Sequence, residues 1–179
     1  MTFEIPEGLA PEVYALAWLV GEWRGTGVIE YPGIPRIDIE QSVTFDHDGG
    51  PYVRYTSVIS VVGDGDDAGP VWGSETGFWR VPPVVPEGIT IREGQHPVEV
   101  LLADASGVLS LYVGAIGGGR IDLATDLMAR TATGAEMSSA TRMYGLVDGD
   151  LLWAWDLSAF GQDLQSYASA HLARVHREE

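Results

Sequence analysis

The sequence predicts an all-β protein: an antiparallel up-and-down barrel of about ten strands with one short helix near the N-terminus. Three observations carry this. Stretches rich in β-branched and aromatic residues recur along the whole chain, at a length suited to strands. Short connections rich in Gly, Pro and Asp separate them at regular intervals. Helical periodicity of apolar residues shows only once, near the start.

The elements follow in order. PEVYALAWLVG (11–21) sets Val13, Leu16, Ala17 and Val20 at helical spacing and stops at Gly21, as a short helix over a barrel end would. The first strand runs through WRGTGVIEY (23–31). Trp23, Gly25, Gly27, Ile29 and Tyr31 share one face, and Arg24, Thr26, Val28 and Glu30 the other. Two glycines on one face mark a bend or a close approach by another backbone. Pro32 and Pro35 bracket the strand exit, since neither can donate to a ladder. RIDIEQSVTFDH (36–47) turns at DGG (48–50). PYVRYTSVISVV (51–62) ends at the acidic GDGDDAG (63–69). PVWGSETGFWRV (70–81) leads into the proline-rich PPVVPEG (82–88). HPVEVLLAD (96–104), VLSLYVGAI (108–116) and RIDLATDLMAR (120–130) are split by ASG and GGG. AEMSSATRMYGLV (135–147) meets DLLWAWDLS (150–158) across Asp148-Gly149, a strong two-residue hairpin signal. LQSYASAHLARVH (164–176) closes the series. A barrel removes the sheet edges such a series would expose, and a β-sandwich is the alternative. Ten strands should leave an internal cavity where eight would be nearly filled.

Composition narrows the function. The 179 residues are expected to form a single domain spanning 1–179. There is no cysteine, so disulfides and thiolate metal sites are excluded. Ten basic residues against 26 acidic ones give a net charge of −16, which disfavours nucleic acid and anionic membrane as partners. No apolar run is long enough for a helical membrane span, and MTFEIPEG lacks the regions of a signal peptide, so a cytoplasmic location is expected. No histidine pair shows ligand spacing with a carboxylate, so no zinc or non-heme iron site is expected. GDG and GGG are turns without a following helix, and no nucleophile elbow appears.

The candidate pocket residues are Gly73, Arg142, Tyr144, Trp153 and Trp155. Trp153 and Trp155 share a strand face and can line an apolar pocket. Arg142 and Tyr144 also share a face. Turned inward they would bind a carboxylate; turned outward, Arg142 would meet one of many surface acids.

Gly21-Glu22-Trp23-Arg24-Gly25-Thr26-Gly27, continuing to Tyr31-Pro32-Gly33-Ile34, resembles the first strand of the nitrobindin family. Glu75-Thr76-Gly77-Phe78-Trp79-Arg80, VEVLLADASGVLSLYVG (98–114) and TRMYGLVDGDLLW (141–153) extend the resemblance over nearly the whole chain. It implies a heme-binding barrel shaped like the fatty-acid-binding proteins, which are similar in using an internal Arg-x-Tyr pair. The family motif here is Gly21, Trp23, Gly25, Gly27, Tyr31 and Pro32. The resemblance also implies an axial heme histidine in a C-terminal L-Q-x-H-L-x-A stretch. Aligned on Leu164-Gln165, that position holds Tyr167. A second family histidine falls on Gly73. Sliding the tail by four residues offers His171 instead. On a regular strand that is about 13 Å further along the same face. A tyrosinate ligand at Tyr167 would need a nearby positive charge, for which Arg142 or Arg54 are the candidates.

The expectation is therefore a nitrobindin-like barrel that binds a small apolar or anionic ligand, with no histidine-ligated heme and no catalytic residues, as a monomer or homodimer. The alternative is a heme b protein that isomerises peroxynitrite to nitrate, with Tyr167 or His171 on the iron.

Overall fold

A computed structural model describes residues 5–63 and 69–176. Ten strands follow one helical segment: β1 (Gly21–Tyr31), β2 (Ile34–Asp46), β3 (Val53–Val61), β4 (Val71–Arg80), β5 (His96–Asp104), β6 (Val108–Gly117), β7 (Arg120–Arg130), β8 (Met137–Val147), β9 (Asp150–Ala159) and β10 (Gln165–Arg174). Each pairs antiparallel with its neighbour in sequence, and β1 pairs with β10 to close the barrel. The predicted fold class holds. No helix among the described residues is long and apolar enough to cross a membrane. Most of GDGDDAG (63–69) lies outside the described residues.

Two local details differ from the sequence reading, each for a physical reason, and a third lies beyond it. The helical segment Pro11–Leu19 is 3₁₀, with Val13 outside the helical region at φ −111°, ψ 17°. Val13, Leu16 and Leu19 are all fully buried. Their spacing of three places them on one side at three residues per turn, which a 3₁₀ helix matches better than an α-helix. Second, Pro35 does not end anything. Tyr31 pairs with Ile34 across a Pro32-Gly33 turn in which Gly33 has φ +85°, and Pro35 sits at the start of β2. A proline is tolerated at a strand's beginning. Third, β7 and β8 pair only from Arg120 to Ala124 against Thr141 to Gly145, so their far ends diverge. The Asp148-Gly149 hairpin is as read: both residues have positive φ, 52° and 95°, the geometry that suits the twist of the flanking strands.

The seam between β1 and β10 explains the glycines of the first strand. A Cβ on Gly25 would overlap the backbone carbonyl of His171, and one on Gly27 that of Ser169. The two backbones pack too closely there for any side chain. One barrel end is filled around this seam. Trp23 is fully buried and donates from Nε1 to the Leu19 carbonyl at 2.8 Å. The Arg174 guanidinium lies 4.1 Å from the Trp23 ring centroid and donates to the Val20 and Trp18 carbonyls, both at 2.6 Å. The 3₁₀ segment is thereby stapled over that end.

Candidate functional site

The opposite end stays open. A cavity of 440 Å³ sits there, within the range of small-molecule sites. Its walls come from the start of β4, the ends of β3 and β9, the β5–β6 and β7–β8 turns and the start of β10.

Two β-bulges shape it. On β4, Gly73 pairs with Ile59 and Val71 with Ser60, so Trp72 is an extra residue without a partner on β3. On β10, Ser166 pairs with Asp156 and Ala168 with Trp155, so Tyr167 is an extra residue relative to β9. Bulges break the two-residue alternation and re-aim a side chain. Here both turn an aromatic residue toward the same cavity. Trp72 Nε1 donates to the Tyr167 hydroxyl at 2.8 Å. The bond links β4 to β10 across the open end, with three strands standing between them by the shorter way round. Tyr167 also meets Trp155 edge-on at 4.9 Å and Tyr31 at 5.8 Å between ring centroids. Burial raises the Tyr167 phenol above its ordinary value, against the opposing pull of the Trp72 donor.

Beneath the aromatic residues lies a charged pair. Arg142 donates to Glu75 through two parallel bonds, Nη1 to Oε1 at 2.6 Å and Nη2 to Oε2 at 2.8 Å. Tyr55 also donates to Glu75 Oε1, at 2.7 Å. The Arg142 guanidinium stacks 4.1 Å from the Trp155 ring centroid and reaches the Tyr144 hydroxyl at 3.4 Å. Burial pushes the Glu75 carboxyl up, but Arg142 and the hydrogen bonds outweigh it and hold the group below its usual range. Burial pushes the Tyr144 phenol up to about 12. A second buried network links Trp153 Nε1 to Gln41 Oε1 at 2.7 Å, and Gln41 Nε2 to Ser57 Oγ at 2.9 Å.

The predicted pocket residues divide accordingly. Gly73, Trp155 and Tyr167 line the cavity. A Cβ on Gly73 would meet nothing within 4 Å, so the missing side chain there is open space. Arg142, Tyr144 and Trp153 are buried inside the barrel behind the wall. The outward reading of Arg142 is corrected, because an inward Glu75 supplies the partner that an internal guanidinium needs. His171 is on the outer wall, its side chain 63% exposed and its Nε2 at 2.6 Å from Asp150 Oδ2. The bulge at Tyr167 is the reason: an extra residue shifts the alternation, so positions 167 and 171 no longer share a face. Arg54 is likewise on the outer surface, paired with Asp46 and Asp48.

Sequence reasoning missed Glu75, Tyr55, Gln41 and Ser57 as interior polar groups. A signal for Glu75 existed: on β4 it is in phase with Trp79, a fully buried residue. An inward acid calls for an inward base.

The family described as "THAP4-like, heme-binding beta-barrel domain" matches residues 12–174. The chain belongs to the nitrobindin family. It is 47% identical to a "Ferric nitrobindin-like protein" of Beutenbergia cavernae, across 98% of this chain and all of the relative. It is 41% identical to a "Peroxynitrite isomerase" of Clavibacter michiganensis subsp. michiganensis, across 96% of this chain and 98% of the relative. Among solved structures, Rv2717c from M. tuberculosis superposes with a TM-score of 0.77 at 31% identity, covering 94% of this chain and 99% of that one. Membership raises a question of chemistry that the donor set here can answer. Among the described residues, no histidine lines the cavity. The nitrobindin position that sequence resemblance gives to the axial ligand carries Tyr167, whose oxygen already accepts from Trp72. Arg142, the nearby cation, has both its forked donors on Glu75. Apart from the charge of an iron itself, a phenolate at Tyr167 would have only Arg142 as a counter-charge, and Glu75 already neutralises it. The residues present do not fit a histidine-ligated heme, and they offer a tyrosinate ligand no free counter-charge.

Proposed function

We propose that this member of the nitrobindin family is a small-molecule-binding barrel that holds a ligand with an apolar body in the cavity at the Tyr167 end and carries no histidine-ligated heme. The single observation behind this is that no histidine lines the cavity among the described residues. The ligand position carries Tyr167 instead, which burial keeps a neutral phenol, and a neutral phenol is a poor iron ligand. The anionic alternative loses support because the guanidinium fork of Arg142 is filled by Glu75. Peroxynitrite isomerisation, named for the Clavibacter relative, is the second reading; family membership favours it, and it would require Tyr167 as a phenolate, or His171, on ferric heme.

Hemin titration followed by absorption decides between them. The expected result for wild-type protein is no sharp Soret band of a single axially ligated species. Tyr167→His should gain such a band, since imidazole binds iron near neutral pH without forming an anion. Protein that purifies with stoichiometric heme and loses it on Tyr167→Phe would overturn the proposal and make Tyr167 the ligand. Heme that survives Tyr167→Phe and is lost on His171→Ala would overturn it in favour of His171.

A further inference from the structure

We infer that the cavity selects ligands by charge, taking an aromatic ring that carries a protonated amine and rejecting the matching carboxylate. This rests on the proposed ligand-binding role and specifies its chemistry.

The charged residues in the cavity wall are Glu75 and Asp104; no Lys, Arg or His joins them among the described residues. Arg142 does neutralise Glu75, but from behind. Its side chain is 3% exposed against 12% for Glu75, and Glu75, not Arg142, is in the wall. The pair therefore turns its negative end to the cavity. A cation there is closer to the carboxylate than to the guanidinium, and in a partly desolvated site that difference is felt strongly.

The carboxylate also has an acceptor site to spare. Among the described residues, Oε1 accepts from both Arg142 and Tyr55, whereas Oε2 accepts from Arg142 alone. An ionised carboxylate offers about four lone-pair directions, so an N–H from a ligand can reach Oε2. Above it, the rings of Trp72, Trp155 and Tyr167 line the wall with Phe160 and Leu157. Aromatic faces attract both an aromatic ring and an ammonium group. An arylalkylammonium ion satisfies both features at once. A carboxylate of the same shape would face two acids and find no free base.

Three indoles of similar size test this by isothermal titration with wild-type protein: tryptamine, tryptophol and indole-3-propionate. Tryptamine should bind about tenfold or more tighter than tryptophol, the order expected when one charge gains a partner in a partly screened site. Indole-3-propionate should show no saturable binding. Asp104→Asn, a change at the half-buried rim, should narrow the gap between tryptamine and tryptophol. Equal affinity for all three, or preference for the anion, overturns charge selection and leaves the ligand-binding role standing. Saturable binding by none of them overturns both. A tryptamine preference that Asp104→Asn and raised salt leave untouched also overturns it, because the preference would not then be electrostatic.

Discussion

Replacing Glu75 with Gln should cost the fold about 3–5 kcal/mol, the penalty for leaving one charge of a buried pair without its counter-ion. Arg142 would remain inside the barrel, stacked on Trp155 and 4% exposed, with an amide in place of a carboxylate. For a chain of this size the melting temperature should fall by about 6–20 °C. The informative control is the double change Glu75→Met with Arg142→Met. A buried pair exchanged for apolar residues of similar volume is often neutral, so the double variant should recover to within about 2 kcal/mol of wild type. A single variant that loses less than about 1 kcal/mol would show that the pair is screened by water and contributes little. Acid should act as the substitution does. Because the folded carboxyl titrates below its ordinary value of 4.5, its contribution is complete above that pH and disappears as the pH falls through the lowered folded value. Glu75→Gln should therefore flatten the acid limb of the stability curve as well as lower its plateau.

Gly25→Val or Gly27→Val should prevent the barrel from closing. The new Cβ in each case falls on a backbone carbonyl of β10, which no rotamer change can relieve. Separating the strands would break ladder bonds along a seam that runs from Trp23–Arg174 to Ile29–Ala168. The cost should be about 4–5 kcal/mol or more, at the extreme for single changes. Circular dichroism and urea unfolding check it: the expected variant is aggregated or unfolds without a cooperative transition. Gly73→Val is the matched control, since its Cβ meets open space. It should fold normally. A Gly27→Val protein as stable as wild type would mean that the two strands part without loss.

The fold was legible because its connections are local. Each hairpin is announced by its own turn residues, and Asp148-Gly149 reads directly as two positive φ angles. The inward positions of Trp153 and Trp155 follow from simple alternation. The site was less legible, for two reasons. Glu75 and Arg142 are 67 positions apart and meet only because the sheet curls shut, which no local pattern reports. Trp72 and Tyr167 face the cavity because each sits on a bulge, and a bulge is one unpaired residue with no compositional mark. The same extra residue at 167 breaks the strand phase, so Tyr167 and His171, four positions apart, do not share a face as regular alternation would have them do, while His171 stays exposed near the barrel end. The 3₁₀ segment shows the reverse situation. Its spacing of three is visible in Val13, Leu16 and Leu19, but α-helical spacing fits an overlapping set of the same residues.

The closing of β1 on β10 also sets an order of events. Nine ladders join strands adjacent in sequence, while the tenth joins residues 139 apart at Ile29–Ala168. Bringing those ends together costs roughly 3 kcal/mol more chain entropy than forming a three-residue turn. Local hairpins can zip first, so the seam is the slow and final step. Its amides should be the last to gain protection in pulse-labelled hydrogen exchange. Until it forms, the molecule is a curled ribbon with two bare edges, each a template for another chain. The glycines at positions 25 and 27, which make the finished seam so close, leave one of those edges with little side-chain cover during the wait.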